Sequence, residues 1–193
     1  MRAMTLPLLI ALAVTSAHAN KLIAPGPVTP IAKSSFSAKP AGEWNRLNLR
    51  EGKHTETWTL DGPLLNRVDF FGGVAVGQPL FREADKKRQP LPKVSSGMLI
   101  TDIPVLLETT YRAKLRAKRL DINEQEPAMF GAAKGVRFTY RFVRADDDVE
   151  RRGEALAAVK GNKLYLITYE APALHFFDKD LARFRALAAT ISF

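Results

Sequence analysis

The sequence predicts an α+β domain, an antiparallel sheet with two helices packed on it, from two kinds of pattern. Val136, Phe138, Tyr140 and Phe142 alternate with Arg137, Thr139 and Arg141, so a strand there buries one face and sends its charges out from the other. Leu181, Phe184, Leu187 and Ala188 recur at the spacing of one helical face, as do Ile103, Leu106, Leu107, Thr110 and Tyr111. Each of these elements has one apolar side in need of cover, and helix on sheet supplies it. A small β-barrel with helices at its ends is the second arrangement that the pattern allows.

Taken in order, residues 1–19 read as a signal peptide. Arg2 is the positive end, 6–14 an apolar run broken only by Pro7, and Ala17-His18-Ala19 a small-x-small cleavage site before Asn20. The run is far below the roughly 20 apolar residues that span a bilayer, and no Cys follows to take a lipid, so the expected product is exported, soluble, and periplasmic or secreted. Residues 20–34, with Pro25, Pro27 and Pro30, read as an extended lead-in to one domain over 35–193. Strands are expected at 44–49 and 56–60 around a charged turn at 50–54. Asp61-Gly62-Pro63 turns the chain into a buried strand, 64–71, that stops at Gly72-Gly73. The polar stretch 81–94, with Pro90 and Pro92, reads as a long mobile loop.

Thr101 or Asp102 followed by Pro104 marks a helix start, and 112–119 continues that helix with positive charge at its C-terminal end. Residues 120–135 then return through Pro127, Gly131 and Gly135. After the strand at 136–143 the chain reverses at 144–149. The Gly161-Asn162 turn opens a second strand, 164–169, read as the partner of the first. Asp178 is placed to cap the second helix, and 190–193 closes the fold as a last strand.

Removing residues 1–19 leaves 174 residues, enough for one domain with its own core. With 46% hydrophobic and 25% charged residues the chain is globular rather than disordered. It has no Cys, which excludes disulfides, thiolate metal sites and thiol catalysis. The formal charge of +9, or +8 without Arg2, favours contact with nucleic acid, anionic lipid head groups or acidic polymers.

No catalytic signature stands out. His54 and His175, which follow the signal, lie far apart and lack metal-ligand spacing, so each reads as a packed or rim residue. Asp146, Asp147 and Asp148 lack the alternating ligands of a calcium loop and read as a solvated hairpin tip. Ser95-Ser96-Gly97 and the glycines of 72–77 match no nucleophile elbow, phosphate loop or dinucleotide motif. The best interaction signal is Arg112, Lys114, Arg116, Lys118 and Arg119, with Arg112, Arg116 and Arg119 on one helical face. It points to an acidic envelope protein or polymer. Missing aromatics argue against nucleic acid, and a solvated helix end gives the same pattern. Neither cofactor nor metal is expected.

The order of elements, with the stretch Trp-Thr-Leu-Asp-Gly-Pro-Leu-Leu-Asn at 58–66 and the leucine- and tyrosine-rich strand before the last helix, resembles the PsbP-like α-β-α sandwich. Exported bacterial members such as the DcrB-type envelope proteins end in a similar strand, helix and closing strand, and the 58–66 stretch is similar to one in exported proteobacterial proteins of unassigned function. Proteins of this fold serve photosystem assembly, nuclear transport and envelope functions without a shared active site, so the resemblance implies a non-enzymatic accessory or binding protein of the bacterial envelope. It makes Trp58, Asp61 and Asn66 the positions to test, with Trp58 as a core residue and Asp61-Gly62 as a plain turn the simpler reading. The alternative is a hydrolase whose carboxylates, Glu108 with Asp61 or Asp102, meet only in the fold.

Overall fold

The computed structural model describes residues 20–193, and the signal-peptide reading of 1–19 lies outside the described residues. Its strands, in chain order, are β1 (Lys21–Ile23), β2 (Thr29–Pro30), β3 (Ser37–Ala38), β4 (Trp44–Arg46), β5 (Thr55–Thr59), β6 (Arg67–Ala75), β7 (Arg119–Phe130), β8 (Ala133–Val143), β9 (Glu150–Lys160) and β10 (Lys163–Pro172). The helices are α1 (Ile103–Lys114) and α2 (Phe176–Ala188). Eight strands form one sheet, ordered β1-β4-β5-β6-β10-β9-β8-β7, antiparallel throughout, while β2 and β3 pair separately.

Both faces of the sheet are buried, because each helix takes one. Neighbours along a strand point to opposite sides. Phe70 and Ile167 join Phe177, Phe184 and Leu187 of α2, whereas Phe71 and Leu166 join Ile103, Leu107 and Tyr111 of α1. All five residues of the expected α1 stripe are buried. In α2, Phe184, Leu187 and Ala188 are buried and Leu181 is half-buried.

Several elements differ from expectation. The strands at 136–143 and 164–169 do not pair with each other, because β9 lies between them and pairs with both. The return segment 120–135 is largely strand β7, joined to β8 by a tight hairpin at Gly131. The strand at 44–49 ends at Arg46. β6 runs through Gly72 and Gly73 to Ala75; Gly73 takes φ +74° where the register with β10 shifts between Leu164 and Tyr165, a conformation that costs glycine little.

The 81–94 loop is irregular but anchored, since Phe81, Leu91 and Val94 are buried under α1. Of the lead-in, β1 hydrogen-bonds to β4 and Ile31 is fully buried. Asp178 does not cap α2: His175, at φ +68°, precedes the helix, and Asp178 lies in its first turn, 3.0 Å from Arg152. Asp102 does stand at the N-cap of α1 but makes no side-chain cap bond to it; its carboxylate accepts from the Leu99 N–H at 2.9 Å. The closing strand reduces to one bridge between Ser192 and Ser37.

Candidate functional site

One end of the sheet gathers most of the residues singled out from the sequence. β6 and β9 begin there and β8 and β10 finish there, so the 61–66 turn, the end of α1 and the 144–149 hairpin tip share that end. Pro63, Leu64, Leu115, Arg144 and Arg151 surround a cleft floored by Glu51, Arg67, Asp69, Tyr111 and Glu170.

The 58–66 stretch is a turn stapled to α2. Asn66 is 1% exposed; its Oδ1 accepts from the Leu60 N–H at 2.8 Å and the Asp61 N–H at 3.0 Å, and its Nδ2 donates to Asp61 and to Asp180 of α2, each at 3.0 Å. Lys179 closes the ring with a 2.7 Å ion pair to Asp61. The lysine outweighs the slight desolvation of Asp61 and holds its carboxyl below the ordinary range. Gly62 takes φ +108° in the turn. Trp58 is a core residue, fully buried with its ring 4.8 Å from that of Phe70 and its Nε1 donating to Glu56 at 2.8 Å.

The five basic residues do not lie on one helix. Arg112 and Lys114 end α1, Arg116 sits in the connection at φ +50°, Lys118 follows it, and Arg119 begins β7, so Arg112, Arg116 and Arg119 share no helical face. Four of them have acidic partners: Arg112 with Glu108, Lys114 with Glu51, Lys118 with Asp148 and Arg119 with Asp121. The Asp146–148 run forms the hairpin tip, tied to Arg144, Arg151 and Lys118. His54 is half-buried beside Lys53 and Lys163; burial and then those cations push its pKa down. Among the described residues no three of His, Cys, Asp and Glu group to hold a metal.

Beneath the cleft lies a network that the sequence did not reveal. Glu170, Gly153 and Tyr140 are register partners across β10, β9 and β8, with Arg67 opposite Glu170 on β6. Gly153 has no side chain, so the Tyr140 ring lies over β9 and its hydroxyl donates to Glu170 Oε1 at 2.7 Å. Tyr111 of α1 donates to the same oxygen. Arg67 bonds to Asp69 at 2.8 Å and to Glu51 at 2.9 Å, and Thr57 donates to Asp69 at 2.5 Å.

Burial pushes Glu170 up from its ordinary 4.5, with Arg67 opposing and Asp69 reinforcing. Burial, then Glu170, raises both tyrosines well above 10.0. Desolvation disfavours the Arg67 cation, but Asp69, Glu170 and Glu51 outweigh it and raise its pKa. Glu51 is lowered, as Arg67 and Lys114 overcome its own desolvation. The free space in the cleft is about 20 Å³, room for about one water.

The close approach at Gly153 has a measurable consequence. A Cβ there would lie 2.2 Å from the Tyr140 ring. Gly153→Ala is expected to cost about 1–3 kcal/mol in urea unfolding, because the ring must lift and its bond to Glu170 must break. A variant as stable as the parent would contradict this packing.

The three carboxylates of the hydrolase alternative have separate partners: Glu108 pairs with Arg112 on α1, Asp61 with Lys179 on the α2 side, and Asp102 accepts from Leu99 before α1.

An eight-stranded antiparallel sheet with one helix on each face defines an α-β-α sandwich. The chain is similar to the solution structure of cyanobacterial PsbP (CyanoP) from Synechocystis sp. PCC 6803, with a TM-score of 0.53 and 12% identity over 95% of this chain and 98% of that one. The protein therefore has the PsbP-like α+β fold. A crystal structure of LpqN, involved in cell envelope biogenesis of Mycobacterium tuberculosis, aligns at a TM-score of 0.33 and 6% identity over 93% of this chain and 88% of that one, too loosely to bear on the fold. No protein-family model and no curated protein sequence matches the chain.

Proposed function

We propose that the protein is an exported, non-enzymatic accessory or binding module of the bacterial envelope that engages an acidic protein or polymer. The observation that carries this reading is the contrast between the cleft and its surroundings. The buried carboxylates of the cleft, Asp69 and Glu170, are committed to arginine and tyrosines around a space of about 20 Å³, far below the roughly 300 Å³ of an ordinary ligand pocket, so they act as framework. The surface around them is charged, and the chain as a whole carries an excess of cations. Export rests on the Arg2, apolar-run and Ala17-His18-Ala19 pattern, and no described helix is long and apolar enough to cross a membrane.

The experiment joins processing and capture. Protein from its native host is expected to begin at Asn20 by mass spectrometry; an intact Met1 in a cytoplasmic fraction would overturn export. Immobilised protein is expected to retain envelope partners that salt releases, because exposed charges are screened over about 10 Å at 0.1 M. The Arg116→Glu/Lys118→Glu/Arg119→Glu variant tests the basic cluster while sparing Arg112, which donates to the Leu120 carbonyl at 2.9 Å. Unchanged partners in that variant would leave the cluster a solvated surface, and a parent protein with no salt-sensitive partner would sink the reading itself.

A further inference from the structure

We infer that the groove at the β1 edge of the sheet receives an extended acidic peptide segment of a partner protein, laid alongside β1; this rests on the binding-module reading and gives it a site and a partner chemistry. The groove has a volume of about 580 Å³, and four of its lining residues, Lys21, Lys33, Arg46 and Arg50, are cations that sequence distance had kept apart. A single carboxylate, Glu56, faces them. It is 2% exposed and already committed, accepting from Trp58 Nε1 at 2.8 Å and the Ala32 N–H at 3.0 Å while lying 3.5 Å from both Arg46 and Arg50. One anion thus serves two arginines, and the exposed Lys21 and Lys33 form no ion pair among the described residues. The basic cluster that runs from the end of α1 into β7 differs, because acids there offset four of its five charges.

The backbone at Lys33 is held in place. Ala32 and Lys33 take φ of +52° and +53°, and consecutive left-handed non-glycine residues persist only where their surroundings fix them. Here the buried Glu56 accepts from Ala32, and the Ile31 N–H donates to the Phe36 carbonyl at 2.8 Å.

Backbone and rim select a peptide over other anions. β1 ends the sheet, so no strand among the described residues pairs with its outer side, and such an edge is a template for an added strand. Leu22 and Val28, 55% and 65% exposed, line the same groove. An extended segment alternating acidic and apolar residues uses all three features: the edge, the apolar rim and the cations. An anionic polymer leaves the edge and the apolar rim unused, and a bilayer surface is flat where these cations line a concave wall.

The test uses a labelled peptide of four Glu-Val repeats, read by fluorescence anisotropy, with a Lys-Val peptide and phosphatidylglycerol vesicles as comparators. The parent protein is expected to bind the Glu-Val peptide alone, more weakly as salt rises, and Lys21→Glu/Lys33→Glu to weaken binding by about tenfold with an unchanged melting curve, since both side chains are exposed. Equal binding by the variant, no binding of the acidic peptide, or binding of vesicles in its place would overturn the inference. A parent protein that keeps salt-sensitive envelope partners yet ignores the peptide refutes the groove and leaves the module reading standing. One that does neither refutes both.

Discussion

Phe184→Ala is expected to lower stability by about 3–5 kcal/mol, the ordinary cost of emptying a buried phenylalanine site. Phe184 is fully buried on the inner face of α2, and its ring stacks on Tyr169 of β10 at 5.3 Å between centroids with 20° between planes. Phe177 and Leu187 flank it in the same core, so little can move in to fill the space. For a chain of this size each kcal/mol shifts the melting temperature by about 2–4 °C, so a fall on the order of 10 °C should appear in a thermal scan. An unchanged melting curve would mean that α2 does not cover the sheet.

The helices were legible because their periodicity is carried by large apolar residues. Leu106, Leu107 and Tyr111 on α1, and Phe184 and Leu187 on α2, give a period that few other structures explain. Strand β9 was not legible for the opposite reason. Its core side chains are small: Ala155, Ala157 and Ala158 are buried beside Gly153, and none of these residue types favours a strand by itself. They are small because larger neighbours use the room, Phe138 lying opposite Ala155 and Tyr140 opposite Gly153. β7 was hidden by its position at the sheet edge, where polar residues, a register shift near Ile122 and Pro127 are tolerated and blunt unwanted pairing.

Much the same logic governs the site. Trp58 and Asp61-Gly62 could be read as core and turn from local chemistry, but the role of Asn66 depends on Asp180, 114 positions away. The basic run 112–119 looked like a field because its charges are adjacent in sequence; the acids that pair them, Glu51 and Asp148 among them, arrive from other elements. The β1 groove inverts this, since its cations are scattered in sequence and share one wall only after folding. The run Arg67, Val68, Asp69 at the start of β6 is the one trace of the buried network in the sequence: in an inward-facing strand, alternate charged residues must find partners.

Arg67→Met is expected to be as damaging as the loss of Phe184, about 3–5 kcal/mol, because it strands charge rather than space. Asp69, 2% exposed, would lose a partner at 2.8 Å and keep only the Thr57 hydroxyl, while the buried Glu170 would lose the cation that opposes its desolvation and Glu51 would keep only Lys114 of its two. Arg67→Met/Asp69→Asn removes the charge stranded at Asp69 and leaves an oxygen for Thr57, so the double variant should cost less than the sum of the single ones in urea unfolding. The pH dependence has a definite sign. Glu51 is lowered by Arg67 and Lys114, so in the parent its contribution is present above 4.5 and fades as pH falls through its folded value; the variant forfeits the Arg67 share where it is largest. Glu170 is already raised, and its penalty sets in as pH rises above 4.5; losing Arg67 enlarges that penalty. Both effects make the deficit of Arg67→Met grow between about pH 4 and about pH 7. A deficit that is constant or shrinks over that range would show that Arg67 contributes packing rather than charge balance.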